Sequence, residues 1–126
     1  MAHAHSPGYV RLVEDLRERV KHFSIDEFLV RLQAGERYIL LDVREESEWA
    51  RGHLPSAYHL SKGIIEREIE QAIPEQATPI VLYCGGGFRS VLTADNLQRM
   101  GYTKVLSMDG GYRGWIEAGG ELEEPA

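Results

Sequence analysis

Cys84 is the only cysteine in the 126 residues, and the chain continues from it as Gly85-Gly86-Gly87-Phe88-Arg89-Ser90. A lone cysteine after an apolar run reads first as a small buried hydrophobe. The residues that follow argue for chemistry instead. Consecutive glycines let the backbone curl until successive N–H groups point at one spot. Ser90 opens a helix, and the unpaired donors and partial positive charge of a helix N-terminus favour an anion. Arg89 adds a full positive charge. The nearest candidate anion is the Cys84 thiolate, the nucleophilic form of cysteine. Two chemistries use a cysteine cradled in this way: phosphate-ester hydrolysis through a phosphocysteine, and sulfur transfer through a cysteine persulfide. Four residues separate Cys84 from Arg89. Loop length discriminates between the two, because a phosphoryl group needs a wider bowl for its oxygens than one sulfur atom does.

The supporting candidates are less decisive. Asp42 ends an apolar run, so it belongs near the same sheet edge as Cys84, where it could hold the active loop or cap its own turn. Arg44 and Glu48 are four apart, a spacing suited to an ion pair within one helical turn. His53 is a candidate proton shuttle, although a histidine between Gly52 and Pro55 more often braces a loop. Trp49, Trp115 and Phe23 read as packing residues, and Phe88 as a side chain lining the pocket mouth. His3 and His5 sit in a polar leader, where metal binding would be weak.

These residues need elements to position them. Leu12, Val13, Leu16, Val20 and Phe23 recur at helical spacing and predict a helix over 9–22. Ser24-Ile25-Asp26-Glu27 is a capping box that opens a second helix, running to Ala34 with Gly35 as its stop. Tyr38–Val43 is a continuous apolar run closed by one acid, as in a buried parallel strand. Glu45–Arg51 predicts a short helical turn. Ala57–Leu60 predicts a strand, residues 63–73 a helix stopped by Pro74, and Pro79–Cys84 the clearest buried strand. Ser90–Met100 is a helix, Lys104–Met108 a strand, and a last helix surrounds Trp115. Strands alternating with helices make an α/β domain with a parallel sheet. In such sheets ligands bind beyond the carboxyl ends of the strands, where Cys84 lies.

The composition excludes several classes of function. The formal net charge is −6, which opposes binding to nucleic acid and to anionic membrane surfaces. One cysteine forbids an internal disulfide and a cysteine-rich zinc site, and nothing in the chain calls for a metal or another cofactor. No run reaches the roughly 18 apolar residues of a membrane span, and the leader lacks the apolar core of a secretory signal. A cytoplasmic location is the expectation, and a free thiol fits it.

Beyond the cysteine loop, Leu41-Asp42-Val43-Arg44, Gly52-His53-Leu54-Pro55-Ser56-Ala57 and Asp109-Gly110-Gly111-Tyr112 with Trp115 complete a set whose order and spacing resemble the single-domain rhodaneses, the thiosulfate-type sulfurtransferases. Ser56 stands where that family usually has glycine. Cysteine phosphatases of similar loop design carry one more residue between cysteine and arginine. The resemblance spans residues 22 to 120. It implies a five-stranded parallel sheet flanked by helices on both faces, with a short first strand at His22-Phe23-Ser24. It divides the chain into a leader and added amphipathic helix over 1–21 and a rhodanese-like domain over 22–126.

The resemblance also implies a two-step reaction. Cys84 would take a sulfane sulfur from a small anionic donor, thiosulfate or else mercaptopyruvate, and become a persulfide. Gly85, Gly86, Gly87, Phe88, Arg89 and Ser90 would bind the substrate, and Asp42 and Arg44 would support the loop. No second cysteine exists to resolve the persulfide, so the acceptor is expected to be external: cyanide, a small thiol or a thiol protein. The competing readings are a cysteine phosphatase of related fold and a non-enzymatic persulfide carrier or redox sensor. The added helix could pack on its own domain or on a second copy as a homodimer.

Overall fold

The computed structural model describes residues 5–125; His3 lies outside them. Five strands form one fully parallel sheet in the order β1-β5-β4-β2-β3, with β1 at Lys21–Phe23, β2 at Ile39–Asp42, β3 at Tyr58–His59, β4 at Ile80–Tyr83 and β5 at Val105–Met108. The helices are α1 (Pro7–Arg17), α2 (Ile25–Gln33), α3 (Glu46–Trp49), α4 (Ile65–Ala72), α5 (Arg89–Arg99) and α6 (Gly111–Glu117).

Strand alternation sorts the core into two layers. Leu41, Ile80, Leu82 and Val105 point to one face, where Val13 of α1, Ile65 and Ile69 of α4, and Val91, Ala94 and Leu97 of α5 meet them. Leu40, Val81, Tyr83 and Met108 point to the other, against Phe28 of α2 and the Tyr112 and Trp115 side chains of α6. Most of these residues are fully buried, and each aliphatic one stabilises the fold by about 1.5–3 kcal/mol. Both faces of the sheet are therefore covered, which is why β2 and β4 read as unbroken apolar runs rather than alternating ones.

The capping box forms as its residues require. Ser24 Oγ accepts from Glu27 N, and Glu27 Oε1 accepts from Ser24 N, each at 3.1 Å. The first helix is shorter than its periodicity suggests. α1 starts on Pro7, whose fixed φ suits a first helical position, and it ends at Arg17. Lys21 and His22 leave the predicted helix for the short first strand that the resemblance implied at 22–24, Lys21 opposite Leu106 and Phe23 opposite Met108 of β5. Of the apolar stripe, Val13 is buried and Leu12 is half exposed. α1 lies against α5 of its own domain. No helix among the described residues is long and apolar enough to cross a membrane.

Candidate active site

β4 ends at Tyr83, and Cys84 begins the turn into α5. Two contacts with α6 set the curl of that turn: the Cys84 carbonyl accepts from Tyr112 N at 2.8 Å, and the Gly85 carbonyl from Arg113 N at 3.0 Å. Gly111 makes this approach possible. It has φ +53°, and a Cβ there would collide with the Cys84 carbonyl, a backbone atom that cannot step aside. With those carbonyls engaged on α6, the Gly87 amide turns inward. Gly87, held at φ +104°, donates its N–H to Cys84 Sγ at 3.1 Å. Ser90 Oγ lies 3.6 Å from the same sulfur and 2.7 Å from Ser107 Oγ of β5. Ser90 and Ser107 are both fully buried. The sulfur thus meets an amide donor and a hydroxyl that is itself hydrogen-bonded from behind, all at the N-terminal end of the eleven-residue α5. Cys84 is only 1% exposed, and burial alone would fit an inert core thiol. An amide aimed at the sulfur does not belong to that role.

The charged residues pair differently from their spacing. Arg44 and Glu48 do not form the expected ion pair. Arg44 turns back to Asp42, giving Nε 3.0 Å and Nη2 2.8 Å from Oδ2, and Nη2 also donates to the Gly52 carbonyl at 2.8 Å. Glu48 instead takes Arg89 in a two-point bond of 2.6 and 3.0 Å. The reason is register. Asp42 pairs with Tyr83 across the sheet, so it shares Tyr83's face, while Cys84 points to the opposite one. Asp42 therefore does not touch the cysteine loop. It caps its own turn by accepting Arg44 N at 2.9 Å and accepts the Tyr83 hydroxyl at 2.6 Å. Burial, and next the Asp42 charge, push the Tyr83 phenol well above its ordinary range, so it stays a donor. Asp42 reaches the site through Tyr83, which precedes Cys84, and through Arg44, whose guanidinium lies 4.0 Å from the centre of the Tyr112 ring.

The Glu48–Arg89 pair carries a pH dependence. The hydrogen bonds from Arg89, opposed by partial desolvation and helped by the Glu45 amide, hold the Glu48 carboxyl below its usual value. A carboxyl with a lowered folded-state value stabilises the fold above its unfolded-state pKa, about 4.3, and loses that contribution as pH falls through the lower folded value. Urea midpoints measured between pH 7 and pH 3 are expected to fall less steeply for Glu48→Gln than for the parent. Parallel profiles would contradict the pairing.

Cys84, Gly85, Gly86, Phe88, Arg89 and Arg44 line one cavity of about 460 Å³. Gly87 and Ser90 act from behind the sulfur rather than from the wall. His53 is not in the wall: its Nδ1 lies 2.9 Å from the Leu54 carbonyl and its ring stacks on Trp49 at 3.6 Å, so it braces the loop. Glu48, Arg51, Tyr112 and Arg113 complete the wall, with His5 and Tyr9 from the leader and α1. Of these, Tyr9, Arg51 and Arg113 were not among the candidates the sequence marked. Ser107 carried a usable signal, a hydroxyl in an otherwise apolar strand. The arginines carried none, because the pairing that neutralises Arg44 and Arg89 and leaves others free depends on register.

The comparisons agree with this architecture. The model of the family described as Rhodanese-like domain matches residues 24–118. A thiosulfate sulfurtransferase GlpE of Shewanella oneidensis is 31% identical over 98 residues, covering 78% of this chain and 94% of that protein. A tRNA uridine(34) hydroxylase of Chlamydia pneumoniae is 34% identical over 104 residues, 77% of this chain; the chain spans 32% of that longer relative's length. Among solved structures, a Rhodopseudomonas palustris protein of unknown function, described as a possible tyrosine phosphatase, superposes with a TM-score of 0.83 at 25% identity, covering 98% of this chain and 99% of that one.

Proposed function

The chain belongs to the rhodanese-like domain family, and from that premise we propose that it is a sulfurtransferase working through a persulfide on Cys84. The observation that carries the reading is the Gly87 N–H donated to Cys84 Sγ, with the Ser90 hydroxyl beside the same sulfur. Such preorganised dipoles stabilise an anion on sulfur before and after transfer.

In the first step the Cys84 thiolate attacks the outer sulfur of thiosulfate. A bond forms from Sγ to that sulfur, the sulfur–sulfur bond of the donor breaks, and sulfite leaves with the bonding pair. The product is a persulfide anion in the same loop. In the second step an external nucleophile, cyanide or a thiolate, attacks the outer persulfide sulfur, and Cys84 departs as thiolate. The cycle is ping-pong. With a single cysteine in these 126 residues, the acceptor comes from outside them. Residues 22–126 form the domain that does this work. Similarity to the Shewanella sulfurtransferase supports the reaction class.

The solved structure described as a possible tyrosine phosphatase gives a second reading. It is disfavoured by the four residues between Cys84 and Arg89 and by Arg89 being already bound at both ends of the Glu48 carboxylate. Intact-protein mass measured after thiosulfate, after mercaptopyruvate and after an aryl phosphate separates the two. The expected result is a gain of one sulfur from at least one sulfur donor, mapped to Cys84. Aryl phosphate turnover with no sulfur gained would replace this reading with the phosphatase.

A further inference from the structure

Two features of the cavity are not explained by transfer from a small inorganic anion. The first is an aromatic wall brought by the N-terminal segment. His5 stacks on Phe88 with ring centres 4.3 Å apart. Tyr9 of α1 stands 5.4 Å from Phe88 and meets His5 edge-on at 5.3 Å. Phe88 is the residue just before Arg89 in the cysteine loop, so these rings stand beside the reacting sulfur and line the same cavity.

The second is the distribution of charge. Of the four arginines in the wall, Arg44 is matched by Asp42 and Arg89 by Glu48. Arg51 and Arg113 are exposed and, among the described residues, have no carboxylate at ion-pair distance. Arg113 lies directly over the loop: a Cβ built on Gly86 would collide with its Nη2. The positive charge available to a ligand beside Cys84 is thus Arg113, with Arg51 further along the wall, and Arg89 is spoken for.

We propose that His5, Tyr9 and Arg113 are specificity-determining residues that select a sulfur donor of two parts: an anionic sulfane-sulfur group bound by guanidinium, and a flat unsaturated body that lies on the aromatic wall. This rests on the sulfurtransferase reading and names the substrate class for it. A cavity of about 460 Å³ falls in the range of organic ligands, about 300–1,000 Å³, and leaves a thiosulfate ion most of the space unfilled. Guanidinium binds paired oxygens of a sulfonyl or carboxylate group with two parallel N–H donors. An arenethiosulfonate is the simplest such donor. Cys84 Sγ attacks its outer sulfur, the sulfur–sulfur bond breaks, the arenesulfinate leaves with the bonding pair, and Cys84 holds the persulfide anion.

The test uses the full chain, with benzenethiosulfonate and thiosulfate as donors and cyanide as acceptor, read as thiocyanate formed. The donors differ in intrinsic reactivity, so the readout is the ratio of their kcat/KM values in each variant relative to the parent. His5 is exposed, so His5→Ala leaves folding intact even if the His5→Ala/Tyr9→Ala double variant loosens α1. Loss of ring contacts is expected to lower the ratio about three- to tenfold, and Arg113→Ala is expected to raise KM for both donors. A ratio that stays at the parent value in both ring variants, with thiosulfate still turned over, overturns the selection alone. Absence of sulfur transfer from either donor overturns the underlying reaction and the selection with it.

Discussion

Cys84→Ser is expected to lower kcat/KM for thiocyanate formation from thiosulfate and cyanide by about 10⁴-fold or more, the scale on which enzymes lose activity with their nucleophile. The substitution should leave the fold in place. The side chain is 1% exposed, the change in volume is small, and a serine hydroxyl can join the hydrogen bonds already made there by Gly87 N and Ser90 Oγ. Two measurements separate chemistry from folding: the thermal midpoint, expected close to the parent's, and intact mass after thiosulfate, expected to show no sulfur gained. What serine lacks is the polarisable sulfur that can carry a second sulfur, and the loop cannot create one from a hydroxyl. Turnover retained by Cys84→Ser at more than a few per cent of the parent's would mean that sulfur moves without being carried on this residue, and the persulfide mechanism would be abandoned.

The position of that cysteine was legible in the sequence because local rules determine it. An apolar run ending at Tyr83, three glycines and a helix start describe a strand-to-helix turn whatever surrounds it, and the parallel sheet then places the turn at a carboxyl edge. Ser24 and Glu27 likewise form their capping box from four consecutive residues. Where partners come from distant segments, spacing misleads. Arg44 and Glu48 sit at helical separation, yet one turns to Asp42 and the other to Arg89, forty-one residues away along the chain. Asp42 and Cys84 both stand at strand ends, but one step of register puts their side chains on opposite faces of the sheet. The leader was least legible. Nothing in its residues says that His5 and Tyr9 return to Phe88, because that contact depends on α1 lying along α5. Function is divided along the same line: the loop that holds Cys84 is written locally, and the wall that would choose its substrate is assembled from four separate segments.

Asp42→Ala is expected to cost about 3–5 kcal/mol of stability, the largest single loss outside the aliphatic core. The carboxylate is fully buried and Arg44 is 3% exposed. Removing the acid leaves a guanidinium in the interior with one remaining acceptor, the Gly52 carbonyl, and leaves the Tyr83 hydroxyl and the Arg44 amide without theirs. An uncompensated buried charge is far more costly than the intact pair is stabilising. That asymmetry predicts the second half of the experiment. Arg44→Met in the Asp42→Ala background removes the stranded charge, so the double variant should recover part of the loss rather than add to it, a coupling of opposite sign to simple additivity. Denaturant midpoints at unchanged m-value are the measurement. Activity follows a different path. Arg44 packs on the Tyr112 ring, and Tyr112 N holds the Cys84 carbonyl, so kcat/KM of the still-folded Asp42→Ala variant falls through displacement of the loop, and Arg44→Met adds the loss of a guanidinium from the cavity wall. If Asp42→Ala lost less than about 1 kcal/mol, the ion pair would be no more than a surface contact in energetic terms, and the support assigned to Asp42 and Arg44 would have to be withdrawn.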